Sequence, residues 1–164
     1  MQRTKNIFDK IGSLIPGYQG YAEREGRRNC DKLLRNAISG TLILCESIIK
    51  NRLKTEVKNN NLDTLQDLEE CRQKLNTLSD KIKYAPYGES SFFGESQIKE
   101  DELQKIYQTD HDILLFANKI LDDIPNSEIA DILLFIDSLT SMLEDRNNLI
   151  KRQSKIRNFL YNFF

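Results

Sequence analysis

The chain has 164 residues, of which 39% are hydrophobic and 30% are charged, with only three prolines and seven glycines. This mixture is typical of a single folded helical domain and argues against a disordered chain. No apolar run approaches the roughly 18 residues that a membrane-spanning helix needs. The N-terminus lacks a continuous apolar segment, because Asp9 and Lys10 interrupt it. We therefore expect no secretory signal and a cytoplasmic protein.

The formal net charge of −1 conceals an uneven distribution along the chain. Residues 1–58 carry a net charge of +6, residues 59–145 carry −12, and residues 146–164 carry +5. Two explanations remain open: basic helices pack beside acidic ones, or the basic ends face an anionic partner. Nucleic acid is not expected as a partner, because the net charge is negative and the basic residues belong to no known binding motif.

The first unusual segment is IPGYQGYAEREGRR, at residues 15–28. Pro16 and Gly17 suit the central positions of a type II turn, and Gly20 allows a second bend, so we predict a positive φ at both glycines. Tyr18 and Tyr21 can pack their rings against the helices while their hydroxyls form hydrogen bonds. Both tyrosines are candidate interaction residues.

A cationic line follows on the first main helix, because Arg24, Arg28 and Lys32 recur at intervals of four residues. Like charges at this spacing are mildly unfavourable in an isolated helix. The line therefore requires acidic residues from another helix or an external anion, and both remain open. A neighbouring line alternates in charge: Glu23, Arg27, Asp31 and Arg35.

The segment IPGYQGYAEREGRRNCDKLLR, at residues 15–35, resembles the opening of small uncharacterised bacterial helical proteins. These begin with a Pro-Gly-Tyr-x-Gly-Tyr turn, followed by a helix with an Arg-Arg…Asp-Lys…Arg pattern. The resemblance implies a prokaryotic protein in which this segment is a shared structural or partner-binding element. It implies no activity, cofactor or catalytic residue.

Apolar residues recur at helical spacing through most of the remaining chain. The pattern stops at Asn59–Asn61, in the loop YAPYGESSFFGES, and at Pro125. Asn126 and Ser127 are predicted to cap the last helix. The predicted fold is all-α: an antiparallel bundle of four main helices, two long and two shorter, with a short N-terminal helical segment. After the N-terminal segment and turn (1–20), the main helices are predicted at 21–59, 62–84, 99–124 and 126–160 of one domain (1–164).

Catalytic and metal-binding templates are mostly missing. The sequence contains no phosphate-binding glycine loop, no GxSxG, no HExxH and no CxxC pair. Cys30, Cys45 and Cys71 are expected to be reduced, with Cys45 and Cys71 on apolar stripes. We expect no catalytic centre, no metal site and no cofactor.

One polar feature interrupts the third main helix, where Asp110 occupies a position that the periodicity assigns to an apolar residue. His111 lies about one turn from Tyr107. The three residues form a weak candidate for an acid–base pair or a partial metal site. The alternatives are that Asp110 binds a hydrogen-bonding partner inside the bundle or lies at its rim.

The C-terminal sequence IKRQSKIRNFLYNFF is basic and then aromatic. Its candidate interaction residues are Phe159, Tyr161, Phe163 and Phe164. Exposed apolar clusters mark interaction sites, and three arrangements are open: packing on the N-terminal segment, burial in a symmetric dimer, or insertion at a membrane surface.

The sequence favours a non-enzymatic helical scaffold that binds another protein or self-associates. The alternative is a peripheral binder of a membrane or anionic surface through its basic, aromatic ends. A weaker alternative is a metal-binding bundle around Asp110 and His111.

Overall fold

A computed structural model describes residues 6–23, 26–85 and 99–161, with side chains described as far as residue 151. Within these ranges the chain forms α-helices and no strand, which confirms the predicted all-α class. The helices are α1 (Ile7–Leu14), α2 (Arg27–Lys58), α3 (Leu65–Tyr84), α4 (Glu100–Asp123) and α5 (Ile129–Tyr161). No helix in the described ranges is both long and apolar enough to cross a lipid bilayer.

The chain divides into two compact units. The described residues of the first unit fall within 1–34, 86–113 and 142–164, and the second unit comprises Arg35–Ala85 and Leu114–Ser141. Helices α2, α4 and α5 each contribute residues to both units.

Helix α1 begins at a capping box. The Asn6 side chain accepts a hydrogen bond from the Asp9 amide at 2.8 Å, and the Asp9 carboxylate accepts one from the Asn6 amide at 3.2 Å. These two bonds satisfy main-chain donors that the first helical turn leaves unpaired. The helix ends at Leu14, before Pro16, which cannot donate a main-chain hydrogen bond.

Helix α2 begins at Arg27 rather than at the predicted residue 21. Gly20 has a φ of +83°, which lies outside the helical region. The Tyr21 amide donates to the Tyr107 hydroxyl at 2.7 Å, and the Tyr21 carbonyl accepts from Arg27 Nε at 2.8 Å. These contacts hold Tyr21 outside the helix, so Glu23 also precedes α2 instead of lying in its first turn.

The end of α2 lies where the three consecutive asparagines predict it. Asn60 adopts a left-handed conformation with a φ of +55°. The amide of Asn61 donates to the Glu56 carbonyl at 3.0 Å, and that of Asn60 donates to the Val57 carbonyl at 3.2 Å. This pair of bonds is a Schellman motif, which satisfies the last carbonyls of the helix.

The remaining helices begin slightly later than predicted, at Leu65, Glu100 and Ile129. The Ser127 hydroxyl donates to the carbonyl of Asp123 at 2.9 Å, at the end of α4. The predicted cap of α5 by Asn126 and Ser127 stays a prediction.

The second unit has an apolar core with few polar groups. A buried hydroxyl pair, Ser39 and Ser79, joins α2 to α3 at 2.8 Å. Each fully buried aliphatic side chain contributes about 1.5–3 kcal/mol to stability. The fully buried core side chains of this unit include Ile38, Leu42, Ile49, Leu68, Leu75 and Ile120.

Candidate functional site

The segment between α1 and α2 forms the two bends that the sequence predicts. The amide of Tyr18 donates to the Ile15 carbonyl at 3.2 Å, which closes a turn with Pro16 and Gly17 at its centre. Gly17 has a φ of +81° and Gly20 a φ of +83°. The positive φ predicted for both glycines is therefore confirmed, and the first bend fits a type II turn.

These bends direct two tyrosines into an aromatic cluster of the first unit. The Tyr21 ring stacks on Tyr107, with centroids 5.6 Å apart and an interplanar angle of 9°. Tyr18 contacts Tyr21 edge to face at 5.8 Å, and Phe8 of α1 lies 6.0 Å from both Tyr18 and Tyr107. Such pairs contribute about 0.5–1.5 kcal/mol each beyond the burial of their surface.

Arg146 of α5 is the centre of a buried polar network that includes Tyr21. Its Nε donates to Asp110 Oδ1 at 2.5 Å, and its Nη2 donates to Asp31 Oδ1 at 2.7 Å and to the Tyr21 hydroxyl at 3.2 Å. The Tyr21 hydroxyl donates to Asp110 Oδ2 at 2.7 Å. One guanidinium thus joins α2, α4, α5 and the turn segment.

The network balances its formal charges, because two arginines and two aspartates are buried in it. Arg27, Asp31, Asp110 and Arg146 are 3%, 0%, 0% and 2% exposed. Buried ions are tolerated when they are paired and hydrogen-bonded, whereas removal of one partner leaves an uncompensated charge. These four side chains and Tyr21 are called the Arg146 network below.

The protonation states follow from burial and from the neighbouring charges. Burial raises the pKa of Asp110, against the opposing effect of the Arg146 cation. Burial, together with the negative charge of Asp110, raises the pKa of Tyr21 well above its usual value. Burial lowers the pKa of Arg146, but Asp110, Tyr21 and Asp31 outweigh it, so this pKa is raised. At neutral pH the arginine is charged and the phenol is a donor.

The structure separates His111 from the other two residues of the weak acid–base or metal-site candidate, Tyr107 and Asp110. Tyr107 and Asp110 belong to the buried cluster, and both oxygens of Asp110 accept internal hydrogen bonds. His111 lies apart: its Nδ1 is 3.7 Å from Asp112 Oδ1 and has no hydrogen-bond partner among the described residues. Asp110 therefore fits the predicted alternative of an internal hydrogen-bonding residue.

The described ranges contain neither a metal-binding group of side chains nor an exposed thiol. There, no group of three or more His, Cys, Asp or Glu side chains is placed to hold a metal ion. Cys30, Cys45 and Cys71 are free and buried, as predicted for reduced thiols. Burial raises the pKa of Cys45 from 9.0 to about 12, so its reactive thiolate form is suppressed.

The residues predicted as interaction candidates differ in their exposure to solvent. Tyr18 and Tyr21 are 6% and 0% exposed, which is the opposite of what contact with a partner requires. In the cationic line, Arg28 and Lys32 are exposed and Arg24 lies outside the described residues. The C-terminal candidates also lie outside the described side chains, so their role stays a prediction: Phe159, Tyr161, Phe163 and Phe164.

Sequence reasoning missed Arg146 and did not recognise Arg27 and Asp31 as core residues. A signal was present, because each charged residue is in phase with the apolar stripe of its own helix. Arg146 follows the buried Leu139 by seven residues and precedes the buried Ile150 by four. Charges of opposite sign at core positions on several helices predict a buried network.

The second unit has two surface grooves. One, of about 420 Å³, lies between α3 and α5, with the buried Leu78 and Ile136 on its lining beside Lys74, Lys81 and Asp137. The other, of about 350 Å³, lies between α2 and the α4–α5 connection and is lined by residues that include Ile48, Arg52 and Pro125.

Large aliphatic side chains are exposed on the outer surfaces of the same unit. Ile43, Leu44, Leu115 and Leu134 are 46%, 55%, 48% and 62% exposed. Leu44 precedes the groove residue Ile48 by four positions, and Leu134 precedes Asp137 by three. Residues at these spacings lie on the same side of a helix, so each groove has an exposed leucine one turn away.

Comparison of the chain with protein-family models, with curated proteins and with solved structures gives no match.

Proposed function

We propose that the chain is a non-enzymatic helical protein that acts by binding another protein or by self-association. The observation that carries this proposal is the set of half-exposed aliphatic side chains beside the two grooves of the second unit. Exposed apolar surface next to a groove is typical of a protein–protein contact. Leu134, at 62% exposure beside the α3–α5 groove, is the strongest single candidate.

The Arg146 network supports a non-enzymatic function. Its carboxylate and phenol resemble an acid–base pair in composition, but Asp110 and Tyr21 are both 0% exposed. Their hydrogen bonds are directed at each other and at Arg146. A general acid or base must reach a substrate proton, so we infer that this cluster maintains structure.

The architecture that we propose is an antiparallel bundle of α2–α5, with α1 as a short N-terminal helix. In the second unit, Ser39 pairs with Ser79 and Glu46 with Arg72. Residue numbers that rise on one helix as they fall on the next indicate antiparallel neighbours. Long helices of this kind offer extended outer faces for a partner.

The experiment uses the full chain with Leu134→Lys, and with Asn76→Lys as a matched control. Asn76 is exposed on α3 of the same unit and does not line the groove, so it receives the same charge away from the proposed contact. Sedimentation equilibrium measures self-association, and in-cell cross-linking identifies neighbouring proteins. We expect Leu134→Lys, but not Asn76→Lys, to weaken the association, with the melting temperature unchanged.

The proposal is overturned if the wild-type chain stays monomeric and the Leu134→Lys chain retains every cross-link of the wild type. Equal effects of the two lysine variants would also contradict it, because they would indicate a general response to added charge.

A further inference from the structure

Two outer helix faces of the second unit carry exposed charges of opposite sign, one on α2 and one on α5. We propose that the outer face of α2 in one copy of the chain docks on the outer face of α5 in a second copy. This inference rests on the proposed function and deepens it. It names the partner as a second copy of the chain and adds α2 to the contact around Leu134.

The face on α2 is basic, and its residues are Ile43, Leu44, Lys50, Lys54 and Lys58. In the part of α2 that belongs to the second unit, these three lysines are the only exposed charged side chains. Ile43 and Leu44 are 46% and 55% exposed. Ile43 and the lysines follow one another at intervals of seven, four and four residues, so they lie along one side of the helix. These five residues are called the basic face.

No acid on this part of α2 neutralises the end of the basic face. Glu46 is buried and binds Lys50 at 3.1 Å, and the only other acid, Glu56, is half-buried. Lys54 and Lys58 have no ion-pair partner among the described residues. Two exposed cations are therefore available to an anionic partner.

The face on α5 is acidic, and its residues are Asp131, Leu134 and Asp137, here called the acidic face. All three are exposed, and their spacing of three residues places them on one side of the helix. The part of α5 that belongs to the second unit contains no lysine or arginine. Asp137 lines the α3–α5 groove beside Lys74, but the ion-pair partner of Lys74 is Glu70, at 3.0 Å.

The two faces complement each other in charge and in apolar character. Each combines an exposed leucine with charges of one sign, so their contact removes apolar surface from water and brings opposite charges together. Asp131 and Asp137 are about 9 Å apart along the helix axis, and Lys50 and Lys54 are about 6 Å apart. The flexible lysine stems can span this difference. Two basic faces, or two acidic faces, would instead bring like charges together, which disfavours a symmetric contact.

The packing of the second unit keeps the two faces of one chain apart. Helix α3 contacts α2 through the buried hydroxyl pair and shares a groove with α5. Phe116 of α4 contacts Phe135 of α5 at 6.3 Å, and the carbonyl of Ile124, just after α4, accepts from Arg52 of α2 at 3.2 Å. Because α2 and α5 share both neighbours, we infer that they occupy opposite corners of a four-helix arrangement. Their outer faces then point away from each other.

Docking of the basic face on the acidic face of another copy is a heterologous contact. Each added copy leaves one face of each kind free, so the assembly grows beyond a dimer unless its ends meet in a ring. We expect the average mass in sedimentation velocity to rise past that of a dimer as the concentration of the chain increases. An assembly that stops at the dimer overturns the inference.

The decisive test reverses the charges of each face in the full chain. The α2 variant carries Lys54→Glu and Lys58→Glu, the α5 variant carries Asp131→Lys and Asp137→Lys, and the combined variant carries all four changes. Each of the first two brings like charges together, so we expect its self-association to be about tenfold weaker than that of the wild type. The combined variant restores opposite signs, and we expect its affinity to return to within about threefold of the wild type.

Lys105→Glu with Lys119→Glu is the matched control for the α2 variant. Both lysines are exposed on α4 and have no ion-pair partner among the described residues, and the change in net charge is the same. We expect this control to associate as the wild type does. A loss equal to that of the α2 variant would contradict a specific contact at the basic face.

The outcomes separate this inference from the proposed function. If Leu134→Lys weakens the association but the combined variant is not restored, docking of α2 on α5 is overturned and the proposed function stands. A loss in the α2 variant with no loss in the α5 variant also overturns the inference, because α2 would then bind a different anionic partner. A monomeric wild type overturns it as well, whereas the proposed function then depends on the in-cell cross-links.

A second test uses the wild-type chain, so that it remains decisive if a variant fails to fold. Self-association is measured by sedimentation equilibrium at about 0.05 M and about 0.5 M NaCl. We expect it to be about fivefold weaker at the higher concentration, because salt screens exposed charge pairs. An affinity that is unchanged or increased by salt overturns the inference.

Discussion

Two arginines, one in each unit, bind two carboxylates in different surroundings. In the first unit, Arg146 binds Asp31 and Asp110, and its side chain is 3% exposed. In the second unit, Arg72 binds Glu46 at 2.8 Å and Glu69 at 2.7 Å, with 25% of its side chain exposed. The contacts are alike in number and length, whereas water reaches only Arg72.

The two units therefore hold a helix against its neighbours in different ways. The second unit relies on aliphatic packing, and although Glu46 is buried, its cations Arg72 and Lys50 reach the surface, where solvent weakens the ion pairs. The first unit places its charges inside, where each one depends on its partners. Burial of apolar area stabilises many packings about equally, but a buried ionic network is satisfied in one arrangement. We infer that the Arg146 network specifies the position of the turn segment.

The largest expected effect comes from the removal of Arg146, for which the removal of Arg72 is the comparison. Arg146→Met removes the cation that is hydrogen-bonded to the buried Asp31 and Asp110, so we expect a loss of about 3–5 kcal/mol in the free energy of unfolding. Arg72→Met should cost about 1 kcal/mol or less, because Glu46 retains Lys50 at 3.1 Å. Urea unfolding measures both. Similar losses for the two variants would remove the distinction between the units.

A smaller effect is expected from the two glycines of the turn segment. Gly20→Ala combines an unfavourable positive φ with overlap against Tyr107 and Phe8, so we expect a loss of about 3 kcal/mol. At Gly17 the nearest side-chain atom, from Leu33, is 3.9 Å from the added Cβ. Only the backbone penalty of about 1 kcal/mol remains there. Thermal unfolding measures both variants. A larger drop in melting temperature for Gly17→Ala than for Gly20→Ala would contradict this account.

The response to alkaline pH develops gradually as the phenols ionise. Burial raises the pKa values of Tyr18, Tyr21 and Tyr107 above 10.0, so the unfolded chain releases these protons first. Stability is therefore complete below pH 10 and falls as the pH rises above it, by about 1.4 kcal/mol per pH unit for each phenol. The measurement is the free energy of unfolding of the wild type and of Tyr107→Phe between pH 9 and 11.5. Its fall with pH should be less steep for Tyr107→Phe, by the contribution of one phenol, about 1.4 kcal/mol per pH unit.

The second unit has two buried thiols with a raised pKa, Cys45 and Cys71, and Cys45 tests the same comparison. Burial raises the pKa of Cys45 from 9.0 to about 12, so its contribution is lost as the pH rises from 9 to 12. Cys45→Ala should flatten the slope already between pH 9 and 10, where the unfolded thiol is ionised more than any single unfolded phenol. An unchanged slope in that range would show that Cys45 is accessible to water.

The helices and the turn could be predicted from the sequence, because both depend on local chemistry. The apolar stripe of α3 predicts the buried Leu68, Leu75 and Leu78, and the glycines predict the positive φ at positions 17 and 20. The start of α2 could not be predicted, since Tyr21 is held by Tyr107, which lies 86 residues away. Local preference for a helix is overridden there by a tertiary contact.

The candidate site could be predicted only in part. Asp110 at an apolar position indicates a buried partner but does not identify it. Arg146 lies 36 residues further along the chain, in a segment whose sequence is typical of a solvated helix. Arg146 is a candidate partner because its position matches the apolar stripe of α5. Which buried charges pair with each other, however, depends on how the helices pack.

The three cysteines give the molecule a chemical property that follows from their placement. Cys30 lies in the first unit, where its sulfur accepts from the Gln19 amide at 3.4 Å, and Cys45 and Cys71 lie in the second. All three are buried and free. Because only an accessible thiolate reacts with an alkylating reagent, each cysteine becomes reactive when the structure around it opens. The rate of modification at each sulfur therefore reports the opening of its own region, without any label introduced by mutation.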